Sequence, residues 1–149
     1  MIPKRIVIDT NVCLDLFVFR DPRWTPLLTA LQDGSVEAVT RADCRMEWQI
    51  VLGYAHLPLD LQSRARSTIE FDALITCLAT VGPSDNALRL PICKDRDDQK
   101  FLELARDSDA SILITKDKAL LKLARKTARD GMFRIMLPET WVRLGQSEE

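Results

Sequence analysis

Four acidic residues stand at positions from which they could act together on a metal ion: Asp9, Glu47, Asp98 and Asp117. Asp9 directly follows the apolar run 5–8, and Asp117 lies just beyond the apolar run 112–114. Carboxylates gathered in one place repel each other and raise each other's pKa values. Mg²⁺ and Mn²⁺ relieve that repulsion because they prefer oxygen ligands. Next to a phosphodiester, such ions can activate water for hydrolysis.

The elements predicted to hold these acids are short buried strands that alternate with helices. Apolar runs predict strands at 5–8, 36–39, 112–114 and 133–136. Helices are predicted to start near Thr10, Thr25, Asp43, Asp60, Asp98, Lys118 and Pro138. Such alternation is typical of a mostly parallel sheet covered by helices on both faces. The predicted fold class is therefore α/β, a three-layer sandwich with a central mostly parallel sheet flanked by helices.

Two of the predicted helices are long. One begins at Asp60 and is expected to stop only at Gly82-Pro83, before a loop that reaches Asp97. Its apolar positions recur near the helical period: Leu61, Ala65, Ile69 and Leu74. The other is expected to run unbroken from 118 to about 129.

The carboxyl ends of the strands are where the acids should meet. In open parallel sheets, sites form at that edge, where the strand order reverses. Asp9 and Asp117 follow strands, Asp98 starts the helix before the 112–114 strand, and Glu47 lies early in the helix after the 36–39 strand. Each acid alone has a plainer explanation. Asp9 and Asp117 could be helix caps, Asp98 could belong with Asp95 and Asp97 to a solvated acidic turn, and Glu47 could be a surface residue.

The composition is that of an ordinary single domain. The 149 residues carry a formal net charge of −1 and are 46% hydrophobic, so phosphate contacts would have to come from a local patch. One domain is predicted over 1–149, with a flexible tail at 145–149. The first residues lack the apolar core of a signal peptide, and no apolar run could span a membrane. A cytoplasmic protein is therefore expected.

Other chemistries lack their residues in this sequence. The four cysteines show no CxxC spacing and His56 is the only histidine, which argues against a zinc site and against histidine catalysis. Phosphate-binding loops of the form GxxxxGKS/T or GxGxxG are absent, as is the GxSxG turn of serine hydrolases.

Three motifs, in this order, resemble the PIN domain. They are Val7-Ile8-Asp9-Thr10-Asn11, the stretch from Asp97-Asp98 through Phe101-Leu102 to Ala105, and Ile114-Thr115-Lys116-Asp117. Glu47 lies on a predicted helix between the first motif and the second. The resemblance runs from Ile6 to about Leu144 and is nearest to the branch of toxin components of bacterial type II toxin–antitoxin systems.

The resemblance implies a PIN-like sandwich that acts as a Mg²⁺- or Mn²⁺-dependent endoribonuclease on single-stranded RNA, with one or two ions. It also implies a cognate antitoxin and a homodimer. The family's catalytic and metal-binding acids correspond to Asp9, Glu47, Asp98 and Asp117. Further positions correspond to supporting residues: Asn11, Thr115 and Asp97. Lys116 departs from the glycine or asparagine frequent at its place, and the Ser-Pro expected before Glu47 is absent.

Basic residues close to the acids in sequence are candidates for RNA contact: Lys116, Lys118, Arg45 and Lys100. From 118 to 129, cations recur at helical spacing, which fits either an RNA-binding stripe or an ordinary solvated face. Trp48 is a candidate for base stacking, with a position in the core as the alternative. Apolar residues around 54–61 and 69–79 fit either a partner surface or the core.

Two other functions remain open at this point. A phospho-acceptor signalling module has a similar fold, but it needs an aspartate after the middle strand, where Thr40-Arg41 stand. A dehalogenase-type phosphatase is not a further candidate, because it needs a second aspartate at the place of Asn11. A catalytically idle PIN-like binding module is the other candidate, and Lys116 would favour it by neutralising the acids. Metal-dependent cleavage of single-stranded RNA separates the endoribonuclease from these alternatives.

Overall fold

Five short strands form one sheet in the computed structural model, which describes residues 4–79 and 89–147. They are β1 (Lys4–Ile8), β2 (Val36–Thr40), β3 (Ile75–Cys77), β4 (Ile112–Ile114) and β5 (Arg134–Met136). The order is β3-β2-β1-β4-β5, and the neighbouring strands pair in parallel. The chain moves outward from β1 to β3 and then returns to β4 on the other side of β1. The strand order therefore reverses between β1 and β4.

Helices connect the strands and cover the sheet. They are α1 (Thr10–Phe17), α2 (Thr25–Asp33), α3 (Ala42–Leu52), α4 (Leu61–Leu74), α5 (Gln99–Asp107), α6 (Lys118–Leu121), α7 (Ala124–Arg129) and α8 (Pro138–Ser147). Short 3-10 turns at Pro22–Trp24 and Arg96–Asp98 lead into α2 and α5. Within the described ranges, no helix is long and apolar enough to cross a membrane. Helix α8 continues into the predicted tail, and residues 148–149 lie outside the described part.

The sheet is apolar on both faces because successive side chains of a strand point to opposite sides. Ile6 and Ile8 pack against the layer formed by α1 to α4 and α8. Val7, between them, packs with residues of α5 and α6 on the other side. The predicted α/β sandwich with helices on both faces is confirmed, and the sheet is parallel throughout the described strands.

The helix predicted from Asp60 to Gly82-Pro83 is wrong at its carboxyl end. Asp60 does cap α4, since its carboxylate accepts the N–H of Ser63 at 2.7 Å. The helix nevertheless ends at Leu74, and Ile75–Cys77 pair with β2. The β-branched pair at 75–76 suits an extended backbone better than a helix. Gly82-Pro83 and the beginning of the predicted loop lie outside the described residues.

Most of the apolar positions of α4, for which the sequence left a partner surface or the core open, face solvent. Leu61 and Ile69 are 83% and 68% exposed, whereas Ser67 and Phe71 are buried. The period of an amphipathic pattern locates a stripe, but it does not say which surface covers that stripe. Leu61 and Ile69 therefore form an exposed apolar surface on α4, whereas Leu74 packs against the core.

The structure corrects one further prediction and decides between the two interpretations of Trp48. The single helix expected from 118 to 129 is divided into α6 and α7 around Lys122-Leu123. Trp48 is only 1% exposed and stacks on Phe71 with ring centroids 4.8 Å apart. Trp48 is thus a core residue, and its ring is not available to stack on a base.

Candidate active site

Asp9 stands at the switch point of the sheet. Its backbone N–H donates to the carbonyl of Ile114 at 3.0 Å, which ties the end of β1 to the end of β4. Its carboxylate is buried and accepts a hydrogen bond from the Thr115 hydroxyl at 2.7 Å. Asp9 precedes α1 at the cap position, but its side chain makes no capping hydrogen bond. The capping explanation therefore does not account for this carboxylate.

Thr115 connects the two strand-end acids. While its hydroxyl donates to Asp9, the same oxygen accepts the backbone N–H of Asp117 at 3.0 Å. Thr115 is completely buried, so this bridge is shielded from water. One hydroxyl thus fixes the position of both acids relative to each other.

Asp117 has a structural role as well as a place in the cluster. Its Oδ1 accepts the N–H groups of Ala119 at 2.7 Å and Leu120 at 3.3 Å, so it caps α6. Capping occupies Oδ1, and the carboxylate also lies within reach of two other acids. The two explanations proposed for Asp117 are therefore compatible.

Asp98 meets Asp117 and Asp95 at this edge. Ligand oxygens of the three carboxylates all lie within 4.8 Å of one another. Oδ2 of Asp98 is buried and has no hydrogen-bond partner among the described residues. A buried carboxylate oxygen without a donor is costly, because desolvation is not repaid. The arrangement therefore favours a cation at this place.

Asp95 is the residue of this cluster that sequence reasoning missed. It was grouped with Asp97 and Asp98 in a solvated acidic turn, and Asp97 was the expected auxiliary ligand. In the structure Asp97 is exposed, and its N–H donates to Asp95 at 3.0 Å. The 3-10 turn at 96–98 determines which of these neighbouring carboxylates faces Asp98. Such a turn cannot be predicted from a run of adjacent acidic residues.

Glu47 approaches the site from α3 but is held by other partners. The hydroxyl of Thr10 donates to its Oε2, and Nζ of Lys100 lies 2.9 Å from its Oε1. Lys100 also donates to the backbone carbonyl of Asp97. Both oxygens of Glu47 are therefore occupied by groups of the protein itself.

The electrostatics of the site follow from burial and crowding. The pKa of Asp9 is raised from 3.8 to about 6, mainly by burial. The hydrogen bond from Thr115 lowers this pKa, whereas the negative charges of Glu47 and Asp117 contribute to raising it. Burial also raises the pKa of Asp98 to about 8, helped by its hydrogen bond to Asp117 and by the neighbouring charges. Without a cation, Asp98 therefore favours its protonated form at neutral pH, whereas Asp9 is largely ionised.

The other residues predicted for the site lie around this cluster. Asn11 is exposed in the first turn of α1. Lys116 is bound to Asp15, with Nζ 2.7 Å from Oδ2, and Arg45 is paired with Asp72 at 2.8 Å. Lys118 is exposed next to Asp117. Of the four basic candidates, Lys100 is the one whose described contacts include a predicted site acid, Glu47.

The donor set fits a hard divalent cation. Asp95, Asp98 and Asp117 offer only carboxylate oxygens, which suit Mg²⁺ and Mn²⁺ better than softer metals. The unpartnered Oδ2 of Asp98 supplies a buried ligand atom. The residues present therefore fit a divalent ion at the carboxyl edge of the sheet.

The structure is thus an α/β domain with a candidate site for a divalent ion at the carboxyl edge of its parallel sheet. The family model of the PIN domain matches residues 5–119, and the chain belongs to the PIN-domain family. The matched part includes the acids from Asp9 to Asp117. PIN domains are generally metal-dependent nucleases and typically use a divalent ion. A comparison with curated proteins found no similar sequence.

Proposed function

We propose that the protein is a Mg²⁺- or Mn²⁺-dependent endoribonuclease that hydrolyses phosphodiester bonds of single-stranded RNA. The observation that carries this proposal is the cluster of Asp95, Asp98 and Asp117, with its buried and unpartnered Oδ2 of Asp98. Asp9 and Glu47 complete the acidic site. The family supports a nuclease, and the choice of RNA rests on the resemblance of the motifs to the toxin branch.

Each side chain has a defined task in this proposal. Asp98 and Asp117, assisted by Asp95 and Asp9, hold the ion. When bound, a divalent ion lowers the pKa of water and stabilises the charge that develops on the phosphate. The Thr115 bridge keeps Asp9 and Asp117 in place, so little reorganisation is needed during the reaction. Lys118, exposed beside Asp117, is positioned to bind the RNA backbone.

The arrangement of Lys116 speaks against the idle binding module. That alternative drew its support from a lysine that would neutralise the acids. The ammonium of Lys116 instead binds Asp15, which also accepts a hydrogen bond from the indole of Trp24 at 3.2 Å. The middle strand of the sheet is β1, and Asp9 after it is buried and accepts a hydrogen bond from Thr115, which leaves its carboxylate poorly placed to receive a phosphoryl group and disfavours a phospho-acceptor module.

Cleavage of single-stranded RNA with and without metal tests the proposed function. With Mn²⁺ or Mg²⁺ we expect internal fragments from a 5′-labelled RNA without strong secondary structure, and none with EDTA. Single-stranded DNA of the same sequence should be cut more slowly. If metal binds and the RNA stays intact, the idle module is correct. If acetyl phosphate labels an aspartate, the signalling module is correct.

We further propose that the chain forms a homodimer and has a cognate antitoxin, as the toxin branch implies. Support comes from exposed apolar side chains on neighbouring helices, namely Met46, Ile50, Leu61 and Ile69. Helices α3 and α4 are adjacent, because Arg45 of one is paired with Asp72 of the other. Exposed apolar patches of this kind commonly mark protein interfaces.

Light scattering tests the dimer. We expect a mass of two chains, and a mass of one chain for Ile69→Lys, because a charge in the apolar stripe opposes its burial. Ile92→Lys is the matched control, since Ile92 is 81% exposed and lies next to the opposite core cluster. A wild-type protein of one chain at all concentrations would contradict self-association.

A further inference from the structure

The strongest unexplained feature of the site is the ion pair between Lys100 and Glu47. Lys100 is the second residue of α5, and its ammonium lies 2.9 Å from Glu47 on α3. Both side chains are largely shielded, at 19% and 27% exposure. The ammonium also lies 5.3 Å from the ring centroid of Phe101, a buried residue. These contacts fix a positive charge beside the acidic cluster.

The acids of the site fall into two groups by their partners. Glu47 has a donor on each oxygen, Thr10 on one and Lys100 on the other. Asp98 has a buried oxygen with no donor, and it is clustered with Asp95 and Asp117. One group is already neutralised by the protein, and the other still needs a cation. This division is not expected of four equivalent metal ligands.

We propose that Lys100 is a resident cation of the site, so that the protein binds one divalent ion at Asp95, Asp98 and Asp117 while Lys100 satisfies Glu47. This inference rests on the proposed function, since it concerns the same acidic site. Two-metal sites stabilise phosphodiester hydrolysis with two cations a few ångströms apart. A lysine ammonium is a compact charge with three donors, and it can replace one of those cations as a source of positive charge. Glu47 is then a positioning residue that orients Lys100.

Counting bound ions tests this inference without measuring activity. Titration of the metal-free protein with Mn²⁺, followed by the electron spin resonance of free Mn²⁺ and by calorimetry, should give one ion for the wild type. Lys100→Met removes the ammonium and keeps the length of the side chain. Glu47 is then left without its cation, and a second, weaker Mn²⁺ should bind. Lys118→Met, an exposed lysine beside the site, should leave the count at one.

A charge-balanced variant tests the role of Glu47 separately. Glu47→Gln combined with Lys100→Met removes one charge of each sign, so the field at the remaining acids changes little. We expect one Mn²⁺, bound within about threefold of the wild-type affinity, because Glu47 is not a ligand. If Glu47 were a ligand, affinity should fall by at least about tenfold, as for loss of other groups that support a metal site. This variant also has no unpaired buried charge, so it stays informative if Lys100→Met alone fails to fold.

Each result decides between defined outcomes. Two ions in the wild type, an unchanged count in folded Lys100→Met, or a tenfold loss in the charge-balanced variant would each overturn the role of Lys100 while leaving the nuclease proposal intact. No Mn²⁺ binding by the wild type would instead remove the metal centre, and the proposed function with it.

Discussion

Asp117→Asn is expected to reduce RNA cleavage by a factor of about 10²–10³, which is the loss seen when one group that stabilises the transition state is removed. The metal-free variant should be as stable as the wild type. Asparagine caps helices about as well as aspartate, so the hydrogen bonds to Ala119 and Leu120 can persist. What is lost is a charged oxygen ligand in the cluster with Asp95 and Asp98.

Asp9→Asn should give the same loss of cleavage with a gain in stability. The amide oxygen can still accept the hydrogen bond from Thr115. Removing a buried charge whose pKa is raised to about 6 should stabilise the metal-free fold at pH 7.5. The shift from 3.8 corresponds to at most about 3 kcal/mol. Denaturant unfolding in EDTA, alongside cleavage with Mn²⁺, measures both effects.

Two controls separate catalysis from capping. Asp130→Asn changes an exposed acid that precedes β5, at the opposite edge of the sheet, and should alter neither property. Asp117→Ala should lose about 1 kcal/mol of stability with the cap, in addition to cleavage. Full cleavage by either asparagine variant would remove that residue from the catalytic site. If the activity of an Asp117 variant falls only in proportion to its stability, Asp117 acts only as the cap of α6.

The metal-free protein is expected to become less stable as pH rises from about 4 to 8. In the unfolded chain both Asp9 and Asp98 titrate near 3.8, whereas in the folded state their pKa values are about 6 and about 8. The folded state therefore binds protons more tightly than the unfolded state. The stability that this provides is complete below pH 3.8 and is lost as pH passes through 6 and then 8. Asp9→Asn and Asp98→Asn should each flatten this part of the profile.

Divalent metal should reverse this dependence. Ligands must be deprotonated to bind an ion, so metal binding strengthens as pH rises. At a free concentration of 100 times Kd, the ion adds about 2.7 kcal/mol to the free energy of unfolding. Unfolding curves at pH 5, 6.5 and 8, each in EDTA and in Mn²⁺, provide the measurement. A flat profile in EDTA together with an unchanged midpoint in Mn²⁺ would contradict a crowded carboxylate site.

The positions of Asp9 and Asp117 could be predicted because they depend on the simplest geometry in the fold. An acid that follows a buried strand of a parallel sheet must lie at its carboxyl edge, and the β1–β4 pairing brings the two edges together. The strand at 75–77 was missed because helical periodicity was extended through residues that are β-branched. Whether the apolar side of α4 faces a partner or the core could not be decided from the sequence, because a repeating apolar pattern does not identify the surface that covers it.

The side-chain partners of several site residues could not be predicted from the sequence. Lys100 was expected to bind phosphate, and nothing in its neighbourhood indicates a partner 53 residues away. Asp95 and Asp97 are equivalent by composition, and only the backbone of the 3-10 turn distinguishes them. Lys116 lies between Thr115 and Asp117 of the site, yet its partner, Asp15, lies on α1. In each case the side-chain partner was decided by packing rather than by local pattern.

Because β4 pairs with β1, the candidate active site cannot form during synthesis until β4 and Asp117 have been made. Thr115 reaches Asp9 across 106 residues of chain, and β4 is flanked by β5 on its other side. A nascent chain that has emerged from the ribosome only as far as β3 can form the β1–β2–β3 half of the sheet, but it has neither Thr115 nor Asp117. Pairings between residues so far apart in sequence also form slowly. Under the proposed function, a ribosome-bound chain therefore cannot cleave RNA before residue 117 has left the exit tunnel, and the proposed partner can bind α3 and α4 before the nuclease is complete.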